Sequence, residues 1–139
     1  MPKARQTPTV QLGDFLYWRE IISGGQYPIF YRRALGQNQN KPEVILDVND
    51  LARSTNYYSL GDFSVSPDTN WIAFTEDRTG EQQYRLRIFE IATGEELDII
   101  GYPVGASIAW ASQEALYFLP SGRQVARLSP FSGVSTQVY

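Results

Sequence analysis

Strand-turn-strand units recur along this chain, and that recurrence constrains its fold more than any other feature. In the middle unit Phe63 and Val65 alternate with Asp62, Ser64 and Ser66. The turn SPDTN (66–70) leads into WIAFTED (71–77), and RTGEQ (78–82) turns the chain towards YRLRIFEIA (84–92). Successive side chains of a strand project to opposite faces, so Tyr84, Leu86 and Ile88 share one face while Arg85 and Arg87 take the other. TGEE (93–96) turns the chain into LDIIGY (97–102). A later unit repeats the plan: SIAWA (107–111) matches FSVSP, ALYFLP (115–120) matches WIAF, and QVARLSP (124–130) matches YRLRIFE. Ala109 follows Val65 by 44 residues, Phe118 follows Phe74 by 44, and Gly133 follows Gly94 by 39. A period of roughly 40–45 residues holding four short strands is the size of a propeller blade.

The first unit fits less closely. DFLYWREI (14–21) runs through Ser23-Gly24-Gly25-Gln26 into YPIFYRRA (27–34), then through the polar loop LGQNQNKP (35–42) into EVILDV (43–48). Gly-Gly between two aromatic-rich runs marks a hairpin. NDLARSTN (49–56) breaks the strand rhythm and is expected to hold a short helical turn. The fold class read from this pattern is all-β: about three four-stranded antiparallel blades of a β-propeller, forming an incomplete ring. Blade-like units are expected over about 13–56, 57–103 and 104–139, after an N-terminal tail over 1–12. An all-β sandwich, with strands every roughly 8–12 residues, is the alternative architecture.

Composition removes several function classes. The 139 residues contain no cysteine, which excludes disulfides, zinc ribbons and thiol nucleophiles. They contain no histidine, so a Ser-His-Asp triad cannot be built from this chain alone. With 42% hydrophobic residues and a charged fraction of 19%, the chain has material for a core and does not read as disordered. The net charge of −3 leaves no electrostatic footprint for nucleic acid. The one adjacent basic pair, Arg32-Arg33, reads as the outer face and end of a strand. Basic residues near the N-terminus have no apolar run behind them, and no stretch approaches the ~20 apolar residues of a membrane span. A soluble, cytoplasmic chain is expected, with no membrane partner.

Candidate chemical motifs fail on their own requirements. In GASIA (105–109), Ser107 lacks the second flanking glycine of a nucleophile elbow, and IAWA continues as strand where a helix is needed. Asp68 in DTN is one residue from the Asp-Thr-Gly of aspartic peptidases, but those need two such carboxylates and this chain has no second copy. Asp68 therefore reads as a turn former, with Asn70 expected to take the left-handed conformation that glycine usually supplies. Glu76-Asp77 and Glu95-Glu96 read as solvated turn charges, because neighbours on a strand face opposite ways and cannot flank one sugar. DVND (47–50) begins like a calcium loop but places Leu51 and Ala52 where a ligand and a glycine belong. The aromatic residues Tyr17, Trp18, Tyr27, Phe30, Tyr31, Tyr57, Tyr58, Trp71, Phe74, Trp110 and Tyr117 are mostly core candidates. No catalytic, cofactor-binding or metal-ligating residue is assigned, and no cofactor is expected.

Several blocks, in order, carry a resemblance: YWREIISGGQYPIFYRR, EVILDVNDLA, YYSLGDFSVSPD, IAFTEDRTGEQQYRLRIFEIATGEEL and IAW. Together they resemble the N-terminal propeller of the prolyl oligopeptidase family, in the branch of oligopeptidase B (protease II). The resemblance implies a propeller that caps an α/β-hydrolase domain and limits access to short peptides, cleaved after basic residues by a Ser-Asp-His triad. The sequence departs from the family in length, in Thr69 where glycine is usual, and after Pro120, where the pattern drifts. The hydrolase domain is absent from these residues. The reading is thus a non-catalytic propeller portion of a serine peptidase, inactive alone. Its partners would be a hydrolase domain and short peptides. The alternative is a self-standing β-rich interaction module that associates through unpaired strand edges; a carboxylate-dependent glycosidase is a third reading.

Overall fold

Alternation in the sequence becomes antiparallel pairing throughout the computed structural model, which describes residues 4–22, 24–36, 41–97, 103–112, 115–120, 126–128 and 136–138. The chain divides into two compact units, Met1–Asn56 and Tyr57–Tyr139.

The first unit holds β1 (Ala4–Gln6), β2 (Val10–Leu12), β3 (Phe15–Ile22), β4 (Ile29–Ala34), β5 (Glu43–Asp47) and α1 (Val48–Ala52). Its sheet has the order β1-β3-β4-β5, and β2 also pairs with β3. Residues 1–12, expected as a tail, thus supply two short strands: Gln6 lies opposite Glu20 and Leu12 opposite Phe15. The β3–β4 hairpin closes as the double glycine requires, with Gly24 at φ 87° and the Gly25 N–H donating to Ile22 O at 2.7 Å. The expected helical turn is α1. Its N-cap is Asp47, whose carboxylate accepts from Asn49 N at 2.9 Å.

The second unit holds two sheets. β6 (Ser59–Val65), β7 (Trp71–Asp77) and β8 (Arg85–Glu90) run in sequence order. Glu95–Leu97 adds a rudimentary fourth strand: Glu90 N donates to Glu95 O and Leu97 N to Ile88 O, both at 2.9 Å. Of the strand expected over LDIIGY, only Leu97 lies within the described residues. The other sheet has the order β12-β11-β10-β9, from β9 (Val104–Ser112), β10 (Ala115–Pro120), β11 (Ala126–Leu128) and β12 (Thr136–Val138). Ser132 and Gly133 fall outside the described residues.

The core of this unit lies between the two sheets. Ala73, Leu86 and Ile88 of one pack against Val104, Ile108, Leu116 and Phe118 of the other, with Trp71, Tyr84, Leu97 and Trp110 around them. Phe118 pairs with Ile108 as Phe74 pairs with Phe63, an offset of 44 residues on one strand and 45 on the other. β7 is the central strand of its sheet, and six of its seven residues are buried on both faces.

The SPDTN turn differs from expectation in one residue. Thr69, not Asn70, takes positive φ, at 64°. Asp68 Oδ1 accepts from Ser66 Oγ at 2.6 Å and from Asn70 N at 3.1 Å, while Thr69 N donates to Ser66 O at 2.9 Å. These bonds fix the backbone either side of Thr69, and its hydroxyl donates to Asp68 O at 2.6 Å. The strain of a β-branched residue at positive φ is therefore held by the turn network. Asp68→Ala is expected to cost ~1 kcal/mol. Thr69→Gly is expected to stabilise by up to ~1 kcal/mol, because relief of the left-handed penalty outweighs glycine's extra chain entropy. Thermal melts of both variants check the pair; opposite signs from those stated would refute this account of the turn.

Candidate functional site

The most developed polar constellation surrounds Glu76, at the end of β7. Its side chain is fully buried, against the expectation of a solvated turn charge. Glu76 Oε1 accepts from the Tyr58 hydroxyl at 3.1 Å and from Arg87 Nη1 at 3.2 Å; Oε2 accepts from Arg78 Nε at 2.9 Å. Arg87 reaches it because residues 76 and 87 are diagonal neighbours on one face of the β7–β8 ladder. The same guanidinium forks onto Glu96, with Nε to Oε2 at 2.8 Å and Nη2 to Oε1 at 2.9 Å. Bidentate geometry of this kind is the strong form of the arginine–carboxylate pair. Beneath Arg87, Phe74 and Phe89 lie parallel with ring centroids 5.8 Å apart, and the guanidinium carbon is 5.0 Å from the Phe89 centroid.

The electrostatics follow. The hydrogen bond to Glu96 raises the pKa of Arg87, against burial, and Glu76 adds to the rise. Arg87 holds the Glu96 carboxyl below its ordinary value. Burial, then Glu76, raises the Tyr58 phenol above its ordinary value. Arg87, Glu96 and Tyr58 are each pushed towards their ordinary protonation state at neutral pH, which suits a structural tie better than proton transfer.

Asp77, adjacent in sequence, faces the other way and does a different job. Its Oδ1 accepts from Thr79 N (2.9 Å), Thr79 Oγ1 (3.0 Å) and Gly80 N (3.1 Å), and its Oδ2 from Gln82 N (3.0 Å). Gly80 and Gln82 both take positive φ in this turn. Burial pushes the Asp77 carboxyl up, but the bonds from Thr79, Gln82 and Gly80 outweigh it and hold the pKa low.

The remaining candidates are dispersed. Ser107 is exposed within strand β9, with no helix behind it. Asp47 caps α1, and Asp50 pairs with Arg53 at 2.7 Å. Among the described residues no cluster of three His, Cys, Asp or Glu is placed to hold a metal. Arg32 was expected on an outer face but is buried: it pairs with Glu43, approaches the Tyr17 hydroxyl and lies 3.9 Å from the Phe15 centroid. Arg33 is exposed. Of the aromatic candidates, Phe30, Tyr58 and Phe74 are buried; Trp18 and Tyr31 stack at 5.6 Å, both half-buried, and Tyr57 is exposed. Sequence reasoning missed Tyr58, Arg78, Arg87 and Glu96 as a set. The available signal was Arg87 alternating onto the same face as Glu76.

Three antiparallel sheets built mostly from sequence-adjacent strands define a protein of the β-propeller class. The family comparison refines this: residues 2–129 match the model of the prolyl oligopeptidase N-terminal β-propeller domain, and the chain belongs to that family. Protease 2 of Moraxella lacunata is 34% identical over 102 residues, covering 70% of this chain and 15% of that protein. Dipeptidyl aminopeptidase BI of Pseudoxanthomonas mexicana is 28% identical over 116 residues, covering 73% and 16%. Among solved structures, oligopeptidase B from Leishmania major superposes with a TM-score of 0.82 at 18% identity, over 97% of this chain and 20% of that one. The chain therefore spans about a fifth or less of these relatives. No helix among the described residues is long and apolar enough to cross a membrane.

Proposed function

We propose that this chain is the non-catalytic propeller portion of an oligopeptidase B-like serine peptidase, limiting access of short peptides to a separate α/β-hydrolase domain. The observation that carries this reading is the propeller-domain match over residues 2–129, in a chain without histidine. A sequence without a base for a serine nucleophile needs its triad from elsewhere. The polar groups at Glu76 and Asp77 tie strands and turns together, as a scaffold requires. The repeat units belong to this reading, with boundaries at about 13–56, 57–103 and 104–139, and so does a cytoplasmic location, which the absence of cysteine suits. The purified chain is expected to show no hydrolysis of Arg or Lys ester and amide substrates. Turnover that co-purifies with the monomer and resists serine-directed inhibitors would overturn the reading.

A second reading, a self-associating β module, draws on β5. It is the terminal strand in its sheet order, and Val44 on it is 56% exposed. Sedimentation separates the two: a closed, concentration-independent oligomer of the isolated chain favours the module.

A further inference from the structure

β9 is the edge strand of its sheet, yet its outer edge is met at Val104, Ala106 and Ile108 by groups from the neighbouring sheet. Val104 exchanges two main-chain hydrogen bonds with Tyr84, at 2.7 and 3.1 Å. Ala106 O accepts from the Thr75 hydroxyl at 2.6 Å. Ile108 N donates to Asp62 Oδ2 at 3.2 Å. Trp110 Nε1 donates to Ser64 O at 3.3 Å. Edge groups of a strand ordinarily need a partner strand or water. Here two side chains and one bridge take that place, and the Trp110 indole adds a side-chain tie to Ser64 O.

The sequence builds this arrangement through a bulge. The register of β6 against β7 shifts between Leu60 and Phe63, which frees Gly61 and Asp62 from regular pairing. Asp62 N donates to Thr75 Oγ1 at 3.0 Å, which aims that hydroxyl's own proton at Ala106. Asp62 Oδ1 accepts from Phe63 N at 2.9 Å, which leaves Oδ2 for Ile108. Gly61 is required by the close approach: a Cβ there would collide with Thr75 Oγ1 and lie 2.9 Å from the Tyr84 ring. The 44-residue offset between β7 and β10 maps Thr75 onto Leu119, which carries no hydrogen-bonding side chain, so this hydroxyl is not repeated in the next sheet.

We propose that Gly61, Asp62 and Thr75 form a polar clasp that caps the β9 edge and fixes the second sheet against the third. Apolar burial between two sheets is non-directional and permits sliding. Directional hydrogen bonds at alternate β9 residues select one register. Asp62 is in this sense a positioning residue, acting through the main chain of Ile108.

Amide hydrogen exchange on the full chain tests the clasp. In Asp62→Ala and Thr75→Val, exchange at Ile108 is expected to rise about tenfold, the equivalent of losing one net hydrogen bond, while Phe74 and Leu86 keep their wild-type rates. Asp62→Asn, which keeps the shape and one acceptor, should fall between and serves if the alanine variant does not fold. Because the chain has no cysteine, spin labels at Arg85→Cys and Ala111→Cys report the separation of the sheets, and their distance distribution should broaden in the same variants. Unchanged exchange at Ile108, or acceleration there only in step with Phe74 and Leu86, would overturn the proposal; so would an unchanged label distance.

Discussion

Glu76→Ala should destabilise the second unit by about 3–5 kcal/mol, the cost of leaving a buried charge network one member short. The substitution removes the acceptor of the Tyr58 hydroxyl and of Arg78, and one of the two carboxylates around Arg87, whose side chain is 15% exposed. It also opens a void beside Phe74, which is fully buried. Urea denaturation at neutral pH measures the loss. Because the Glu76 and Arg87 side chains are 0% and 15% exposed, salt should change the contribution of this pair little between low and moderate concentrations. A loss below ~1 kcal/mol would mean that Glu76 is solvated in the folded chain.

Asp77→Ala should cost about 2–3 kcal/mol at pH 7, because one carboxylate satisfies four donors across a turn with two residues at positive φ. Its pH dependence separates it from an ordinary turn lesion. The folded pKa of Asp77 is depressed, so its contribution is fully present above the unfolded value of ~3.9 and is lost as pH falls through the folded value. The gap between wild type and variant should stay constant from pH 7 to about 5 and narrow only below about 4. A gap that closes near neutrality would place the effect on another group.

Much of the fold was legible because Tyr84 to Ile88 alternate long enough for a period of two to register, and because Gly24-Gly25 between two aromatic-rich runs marks the β3–β4 hairpin. β1 and β2 were not, since three residues cannot show a period and their pairing is decided by β3. Carboxylates at a strand end read as solvated unless a partner is visible. For Glu76 one partner, Arg78, is two residues away, but Tyr58 and Arg87 lie 18 and 11 residues away, so no local window contains the whole set. Asp77 was closer to legible, because Asp followed two residues later by Thr-Gly is the pattern of a side chain capping its own turn. At Thr69 intrinsic preference pointed to Asn70, and the hydrogen bonds of Asp68 overrode it.

Each strand of β6–β7–β8 pairs only with its immediate neighbour in sequence. Contacts so local carry little loop-closure cost, and a growing chain acquires them in the order in which it is made. This sheet can therefore assemble at the ribosome once Glu90 has emerged, while β9 is still inside the exit tunnel. Its polar groups at Asp62 and Thr75 then stand ready when Ala106 and Ile108 follow, so that synthesis itself delivers the third sheet to a finished template.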